Sequence, residues 1–516
     1  MKIIGFHLDL KAQMPNFPFI CRIIERIADM GYNTVLLEYQ DKFPFFGELS
    51  PLASPDALTV AQIEEIKRLC RKNSIEIIPM MQCLGHMYWV TRFDRYASLG
   101  EHYAEKGKGS HSLCASQKES LELFGKLASQ VMSLHGDSKY FHIGADEIKF
   151  SETCSECRGK SQAMILADYY GKALGFVKDK GYTPVMWGDM VLKYDGLADM
   201  LPKDTAIMDW DYTGILSEEN GREFYGRAYP LSEDSHVAFS GTDELLSRGF
   251  EVICAPAVRS MGDTVLMPRN AHLDNCIQAV LTAKKSGSLG VIVTSWAVRR
   301  VPHILTEPIL EAVARLCKGE SLCYDAVLQF VSEKYFGESG TEIGRIPFEF
   351  ARLLADVQSA ANLLSSGQDF MDADSGMFLS DSIEKRLLGT EIYKNGKIKE
   401  SCSALEKGCL ALLEDIKNPD FCEYSRMLAR ALEAGAALGG LISGLCDGAE
   451  DEKELTALYG KTDILRVFPD ALTEYYTEFS MPTEYMARFD VYKDYIKMLL
   501  SERGCAQTER STGSTK

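Results

Sequence analysis

Residues 3–10 read IIGFHLDL, and the chain runs straight on into Lys11. A short β-rich run like this opens an α/β domain, and the residues after it separate two architectures. An open doubly wound sheet places a glycine-rich phosphate turn after its first strand. Here the strand ends in His7-Leu8-Asp9-Leu10-Lys11, with no glycine to let a phosphate approach the backbone. Seven further β-rich runs come later: NTVLLEY (33–39), IEIIPMMQ (75–82), KYFHIGAD (139–146), TPVMWGD (183–189), TAIMDWDY (205–212), FEVICAP (250–256) and LGVIVTSW (289–296). Segments of helical period lie between most of them, at 17–30, 59–73, 117–135, 160–180 and 271–286. Residues 213–240, between the sixth and seventh runs, are irregular and rich in Gly and Ser. Eight β-then-α units predict parallel strands with crossover helices, closed as a (β/α)8 TIM barrel. Such a barrel takes about 250 residues or more, and 1–320 supply the room.

After residue 320 strands vanish, and Leu, Ala, Glu and Lys dominate. Helices are expected at 322–335, 345–366, 380–415, 420–446 and 483–503, which makes 321–505 an α-helical C-terminal domain. Simple packing is its expected role, with homodimer formation or shaping of an outer pocket as the functional alternatives. Residues 506–516, small and polar, read as a disordered tail.

Composition narrows the function classes. Of the 516 residues, 46% are hydrophobic and 25% charged, the balance of a soluble globular enzyme. A net charge of −18 argues against nucleic acid and against anionic membranes as partners. No run reaches the roughly 18 consecutive apolar residues of a membrane span. The N-terminus, MKIIGFHLDLK, is too short in its apolar part and too charged for a signal peptide, so a cytoplasmic location is expected. Fifteen cysteines, odd in number and irregular in spacing, read as reduced thiols. The one close pair, Cys154 and Cys157, has no second pair at zinc-ribbon spacing. It is expected to be a pair of surface thiols, with no metal and no cofactor in the protein.

Active sites of (β/α)8 barrels sit at the C-terminal ends of the strands. Those ends offer His7 and Asp9, then Glu38, then Gln82, Gly85 and His86, then His142, Asp146 and Glu147. The later strands add Trp187 and Asp189, then Trp210, Asp211 and Tyr212, and finally Trp296. Three of the four tryptophans of the chain stand there, with many carboxylates and few basic residues. Indole rings stack on the C–H faces of a neutral sugar, whereas a phosphate would want Arg, Lys or a helix N-terminus. Adjacent acids at one strand end can divide the work of glycoside cleavage. Repulsion and burial would raise one pKa of such a pair and make it a proton donor. Each feature alone also has an ordinary reading: an Asp-Glu dipeptide in a solvated turn, a Trp in the core, a satisfied barrel histidine. Their conjunction in strand register favours chemistry.

FHIGADE (141–147) resembles the His-x-Gly-x-Asp-Glu signature of glycoside hydrolase family 20, the β-N-acetylhexosaminidases, and especially the hexosaminidase D-like branch. HLDLK (7–11), LLEYQDKFPF (36–45), IIPMMQCLGHMYWV (77–90), MWGD (186–189), WDY (210–212) and TSW (294–296) carry the likeness across nearly all of 1–320. The resemblance implies an exo-acting, retaining hydrolase of terminal β-linked GlcNAc or GalNAc. In that chemistry the substrate's own acetamido oxygen attacks C1 and forms an oxazolinium intermediate. It implies Glu147 as general acid and then base, and Asp146 as the group that holds the acetamido N–H and stabilises the charge. Trp187, Trp210 and Trp296 would enclose the sugar, and His142 and His86 would support the pair. Tyr212 is the candidate donor to the acetamido oxygen, and Asp189 a further substrate-binding residue. Two departures stand out. Many members carry an Arg near strand one, where this chain has His7 and Asp9, which leaves Asp9 and Glu38 for the outer hydroxyls. Many also carry Tyr-x-Asp after strand seven, where this chain has CAPAVRSMGD (254–263). The implied partner is an oligosaccharide or glycoconjugate ending in an N-acetylhexosamine. The rival readings are a two-carboxylate glycosidase, with Asp189 or Asp211 as second acid, a metal-dependent barrel hydrolase, and a sugar-binding barrel without catalysis.

Overall fold

The structure is a computed structural model that describes residues 1–11, 14–229, 235–260, 263–264, 266–296, 301–361, 396–448, 452–477, 490 and 492–501. The chain divides into two compact units. One comprises residues 1–260, 271–297 and 309–323, the other 261–270, 298–308 and 324–516.

The first unit is built on strands β1 (Ile3–Asp9), β2 (Thr34–Glu38), β3 (Glu76–Met80), β4 (Tyr140–His142), β5 (Thr183–Trp187), β6 (Ala206–Trp210), β7 (Glu251–Ala255), β8 (Ala257–Arg259) and β9 (Gly290–Ser295). Neighbours pair in parallel and β1 pairs with β9, so the sheet closes on itself. β7 and β8 are one barrel strand interrupted at Pro256: β7 pairs with the start of β9 and β8 with its end. Proline has no N–H to give the ladder, but its carbonyl accepts the Thr294 N–H at 2.6 Å and the Thr294 hydroxyl at 2.9 Å. The result is the expected eight-stranded (β/α)8 barrel.

The helices between the strands begin and end where local chemistry directs. In α1 (Phe17–Met30) Asn16 accepts the Phe19 N–H at the start, and Gly31 closes the end. In α2 (Val60–Lys72) Thr59 and Gln62 form a reciprocal capping box. α3 (Lys118–Leu134) and α4 (Gln162–Asp179) come after β3 and β4. Between β6 and β7 the described residues form two short helices, α5 (Glu218–Tyr225) and α6 (Thr242–Ser247), in keeping with the irregular sequence there. α7 (Ala271–Ser286) comes after β8, and α8 (Glu307–Cys317) after β9.

Inside the barrel one parity of each strand is packed together: Ile3, Leu36, Ile78, Tyr140, Val185 and Ile292 belong to one buried cluster. Side chains alternate along a strand, so the same parity continued toward the strand ends brings His7 and Asp9, Glu38, Gln82, His142, Trp187, Trp210 and Trp296 to the same side. The sequence therefore places the site by parity as well as by position.

β4 is the exception to regular pleating. It is three residues long, not the expected 139–146, because beyond His142 the chain leaves extended geometry. Gly144, Ala145 and Glu147 take left-handed φ values of 69°, 78° and 50°. The backbone nevertheless stays stitched to its neighbours: the Ile143 N–H donates to the Val185 carbonyl and the Trp187 N–H to the Gly144 carbonyl. A Cβ on Gly144 would collide with the Gln82 side chain, and one on Gly85 would strike the Asp146 carbonyl.

The second unit contains helices α9 (Tyr324–Phe336), α10 (Ile346–Ala361), α11 (Gly396–Asp415), α12 (Glu423–Cys446) and α13 (Glu452–Leu472). α11 and α13 both pack on α12. Against expectation, α12 is long and apolar enough to cross a membrane, and 83% of its most apolar window is buried inside the protein. The sequence pattern does not predict α13. Gly460 and Pro469 break its periodicity, yet Leu455, Leu465, Phe468 and Leu472 lie buried on it. Of the expected helices, residues 362–366, 380–395, 483–489, 491 and 502–503 lie outside the described residues, as does the expected tail at 506–516.

Gly144→Ala should destabilise the first unit by about 2–3 kcal/mol, from the left-handed φ and the clash with Gln82. Gly136→Ala, where nothing lies within 4 Å, should stay within about 0.5 kcal/mol of the parent. Urea midpoints compare the two, and equal effects would remove the steric argument.

Candidate active site

Asp146 and Glu147 leave the mouth of β4 and meet one histidine. His86 Nε2 lies 3.1 Å from Asp146 Oδ2 and 3.3 Å from Glu147 Oε2. His86 stands in the loop after β3, itself at a left-handed φ of 53°. Gln82 donates to the other Asp146 oxygen at 3.0 Å. The Glu147 N–H donates to Asp189 Oδ2 at 2.9 Å, and the Tyr170 hydroxyl donates to the Ala145 carbonyl at 2.9 Å. The strained turn is thus held on both sides. The Asp146 side chain is 8% exposed and that of Glu147 48%, so one acid sits inside the mouth and the other at its rim.

The electrostatics derive from this bridge. Burial alone would lower the His86 pKa, but the Asp146 charge and hydrogen bonds to both acids overcome it and raise it to about 10. Burial pushes the Asp146 carboxyl up, and the His86 charge and hydrogen bond, with Gln82, bring it below its usual value. The His86 hydrogen bond likewise lowers Glu147. The expectation that repulsion would raise one member of the pair is therefore corrected, because an imidazolium stands between them. The raised carboxyl is Asp189, which burial and the nearby Asp146 charge push to about 7. His111, whose ring lies 4.5 Å from that of His86, is lowered to about 3 by burial and by the His86 charge.

A second charged group forms at β1 and β2. Lys11 Nζ lies 3.2 Å from Asp9 and 3.2 Å from Glu38, and His7 Nε2 is 3.1 Å from the other Glu38 oxygen. Gln40 also donates to Glu38, at 3.2 Å. Burial opposes the Glu38 charge, but Lys11 and His7 hold its carboxyl well below the usual range.

The aromatic residues connect the two charged groups. The His142 ring packs on Trp187 at 4.7 Å, Trp187 on Trp296 at 5.7 Å, Trp296 on Tyr212 at 6.2 Å, and Tyr212 stacks on Trp210 at 4.9 Å. Lys11 Nζ lies 4.6 Å from the centre of the Trp296 ring. His142 Nδ1 accepts the Gly144 N–H at 2.9 Å, and burial holds its pKa at about 3, so its Nε2 carries the hydrogen. Among the described residues the buried His142 Nε2 and Trp187 Nε1 have no hydrogen-bond partner.

All eleven expected site residues thus lie at the strand ends. Asp211 serves otherwise: its carboxylate accepts the Thr213, Gly214 and Phe239 N–H groups and pairs with His236, which fixes the loop after β6. Sequence reasoning missed two residues. Lys11 shares the parity of His7 and Asp9, a signal present in HLDLK. His111 returns from a loop of over thirty residues, where no periodicity reports its position. Cys154 and Cys157, expected at the surface, are buried, at 7% and 5% exposure. The loop after β4 folds back onto the loop after β3 and covers them.

The chain is similar to several known proteins. Residues 47–229 match the family model of the glycosyl hydrolase family 20 catalytic domain. The chain is 27% identical to bovine hexosaminidase D over 344 residues, 62% of this chain and 91% of the bovine one. It is 32% identical to human hexosaminidase D over 304 residues, 56% of this chain and 59% of the human one. A β-N-acetylhexosaminidase structure from Bacteroides fragilis NCTC 9343 is 16% identical, with a TM-score of 0.48, covering 66% of this chain and 72% of that one. The chain is thus similar to glycosyl hydrolase family 20 proteins, over residues 47–229 to the catalytic-domain model and over a longer stretch to hexosaminidase D.

Proposed function

We propose that the protein is an exo-acting, retaining β-N-acetylhexosaminidase that releases terminal β-linked GlcNAc or GalNAc through participation of the substrate's acetamido group. The observation that carries this reading is the acid pair Asp146 and Glu147, bridged by His86 at the strand ends where Trp187, Trp210 and Trp296 also stand. Cleavage needs a proton on the leaving oxygen and stabilisation of positive charge at C1. Asp146, ionised and fixed by Gln82 and His86, suits the second role. It orients the acetamido N–H and faces the oxazolinium charge. Glu147, at the rim, reaches the leaving oxygen. The proton shared along its hydrogen bond with His86 is the one at hand for that oxygen, and Glu147 then serves as base for the incoming water.

The buried unpaired donors support the same reading. An unsatisfied buried donor costs about 1–3 kcal/mol, and a sugar bearing an amide carbonyl and hydroxyls offers the acceptors. Trp187, Trp210 and Trp296 would hold the sugar and its acetyl methyl, with Tyr212 donating to the acetamido oxygen and His142 in support. Asp9, Glu38 and Lys11 suit the outer hydroxyls, and Asp189 holds the catalytic turn. A two-carboxylate mechanism finds a poor nucleophile here, since Asp189 is half neutral near pH 7 and Asp211 is engaged in its loop. Cytoplasmic location is part of the proposal, supported by the free state of the 14 described cysteines.

A thiazoline mimic of the bicyclic intermediate should inhibit strongly and competitively; indifference to it would exclude acetamido participation. Glu147→Gln should cut turnover of a chitobiose-type disaccharide by about 10²–10⁴-fold, and less for a nitrophenyl glycoside, whose leaving group needs no proton. An unchanged disaccharide rate would remove Glu147 from the chemistry. His86→Asn removes the cation that lowers both acids. The acidic limb of the kcat/KM profile, which requires ionised Asp146, should then move upward in pH. A limb that stays in place would show that His86 does not set these charges.

A further inference from the structure

Four side chains that the proposed reaction does not use meet between the loop that carries His86 and the loop that follows the acid pair. Glu101 and Cys114 come from the loop between β3 and α3, Cys154 and Cys157 from the loop between β4 and α4. Their ligand atoms all lie within 4.8 Å of one another, and all four residues are buried. Cys114 Sγ is 3.6 Å from Cys154 Sγ and 3.4 Å from Cys157 Sγ, and Cys157 Sγ is 3.3 Å from Glu101 Oε2. A tetrahedral zinc centre with bonds of about 2.3 Å to sulfur has sulfur–sulfur edges of about 3.8 Å. The observed separations are close to those edges.

The surroundings fit as well. The other Glu101 oxygen accepts the Ser151 N–H at 3.1 Å, which orients the carboxylate and leaves Oε2 toward the sulfurs. The Glu156 and Cys157 backbone N–H groups donate to the Cys154 sulfur. N–H groups two and three residues past a ligating cysteine stabilise a thiolate. Three thiols and a carboxylate packed together out of water have no apolar rationale, and a bound dication gives them one.

The geometry points to a structural zinc-class metal site formed by Glu101, Cys114, Cys154 and Cys157. Thiolate-rich tetrahedral sets favour Zn²⁺ over oxygen-seeking ions. Binding releases the thiol protons to solvent and adds no open coordination position, so the ion takes no part in turnover. Its position gives it a purpose. One loop carries His86 and the other Asp146 and Glu147, and the Lys149 N–H donates to Ser112 across the same seam at 3.0 Å. A metal there would clamp together the two loops whose contact sets the charge of the acid pair.

The full chain, expressed with zinc in the medium and desalted under reducing conditions, should contain about one zinc per chain by mass spectrometry of the metal. Replacement by Co²⁺ should give the intense visible bands of tetrahedral thiolate ligation. Glu101→Gln and the double change Cys154→Ser, Cys157→Ser should lose the metal, while Cys323→Ser, at an exposed cysteine, should keep it. Removal of the metal should speed amide exchange in residues 101–116 and 148–158 more than in the barrel strands. Zinc-free protein that gives no tetrahedral cobalt spectrum overturns the proposal, as does a native disulfide among these cysteines found by non-reducing peptide mapping. Both readouts use unmodified protein and no substrate, so they stand if a variant fails to fold or if the enzymatic reading fails.

Discussion

Two carboxylates on adjacent residues, one buried and one at a rim, repel each other unless a cation stands between them. His86 is that cation, within 3.3 Å of both. Two unit charges 4 Å apart at an effective dielectric near 20 interact by about 4 kcal/mol, enough to decide which groups are ionised. Without the imidazolium, burial and mutual repulsion would drive one acid neutral. With it, Asp146 stays charged, Glu147 is lowered while sharing the imidazolium proton, and the Asp189 carboxyl is the one pushed up. The positions of His86 and the acids are themselves costly. His86, Ala145 and Glu147 all hold left-handed φ values, and such residues persist only where neighbours over-determine them. The Asp189 carboxylate, Tyr170 and Gln82 provide that determination.

The division between legible and illegible tracks the range of the physical signal. Strand parity is local, so FHIGAD and VMWGD reveal His142, Trp187 and Asp189 as site-facing without any knowledge of the fold. Lys11 is equally legible by parity. The charge state of the acid pair is not, because its cation is sixty residues upstream in a loop without period. Burial of Cys154 and Cys157 is hidden for the same reason: their spacing is local, but Cys114, which meets them, comes from 40 residues earlier. α13 escapes a sequence reading where Gly460 and Pro469 weaken a helical pattern that tertiary packing restores.

The barrel and the loops share the work unequally. Strands of one parity hold the tryptophans and histidines rigidly, with Trp187 fully buried. The long loops after β3 and β4 bring the titrating groups. A precise distance between His86 and the acids therefore depends on contacts between two loops rather than on the sheet. Glu101 holding the Ser151 N–H and Ser112 holding the Lys149 N–H are the visible part of that coupling.

The charge pattern of the site also bears on what it can receive. Asp9 and Glu38 share one Lys11 on one side, and Asp146 and Glu147 share one His86 on the other. Each group is close to neutral or slightly negative in sum, yet each presents fixed acceptors and donors to a neutral ligand. An anionic ligand would meet uncompensated carboxylates in a buried setting, where such repulsion is weakly screened. A sugar that becomes positive at C1 only during reaction meets the opposite situation. In the proposed reaction the surplus of negative charge would stabilise the transition state more than the ground state, which is the condition for catalysis rather than for mere binding. The same fixed charges that must be neutralised by Lys11 and His86 in the resting protein are in this way matched to the one moment when the substrate carries charge.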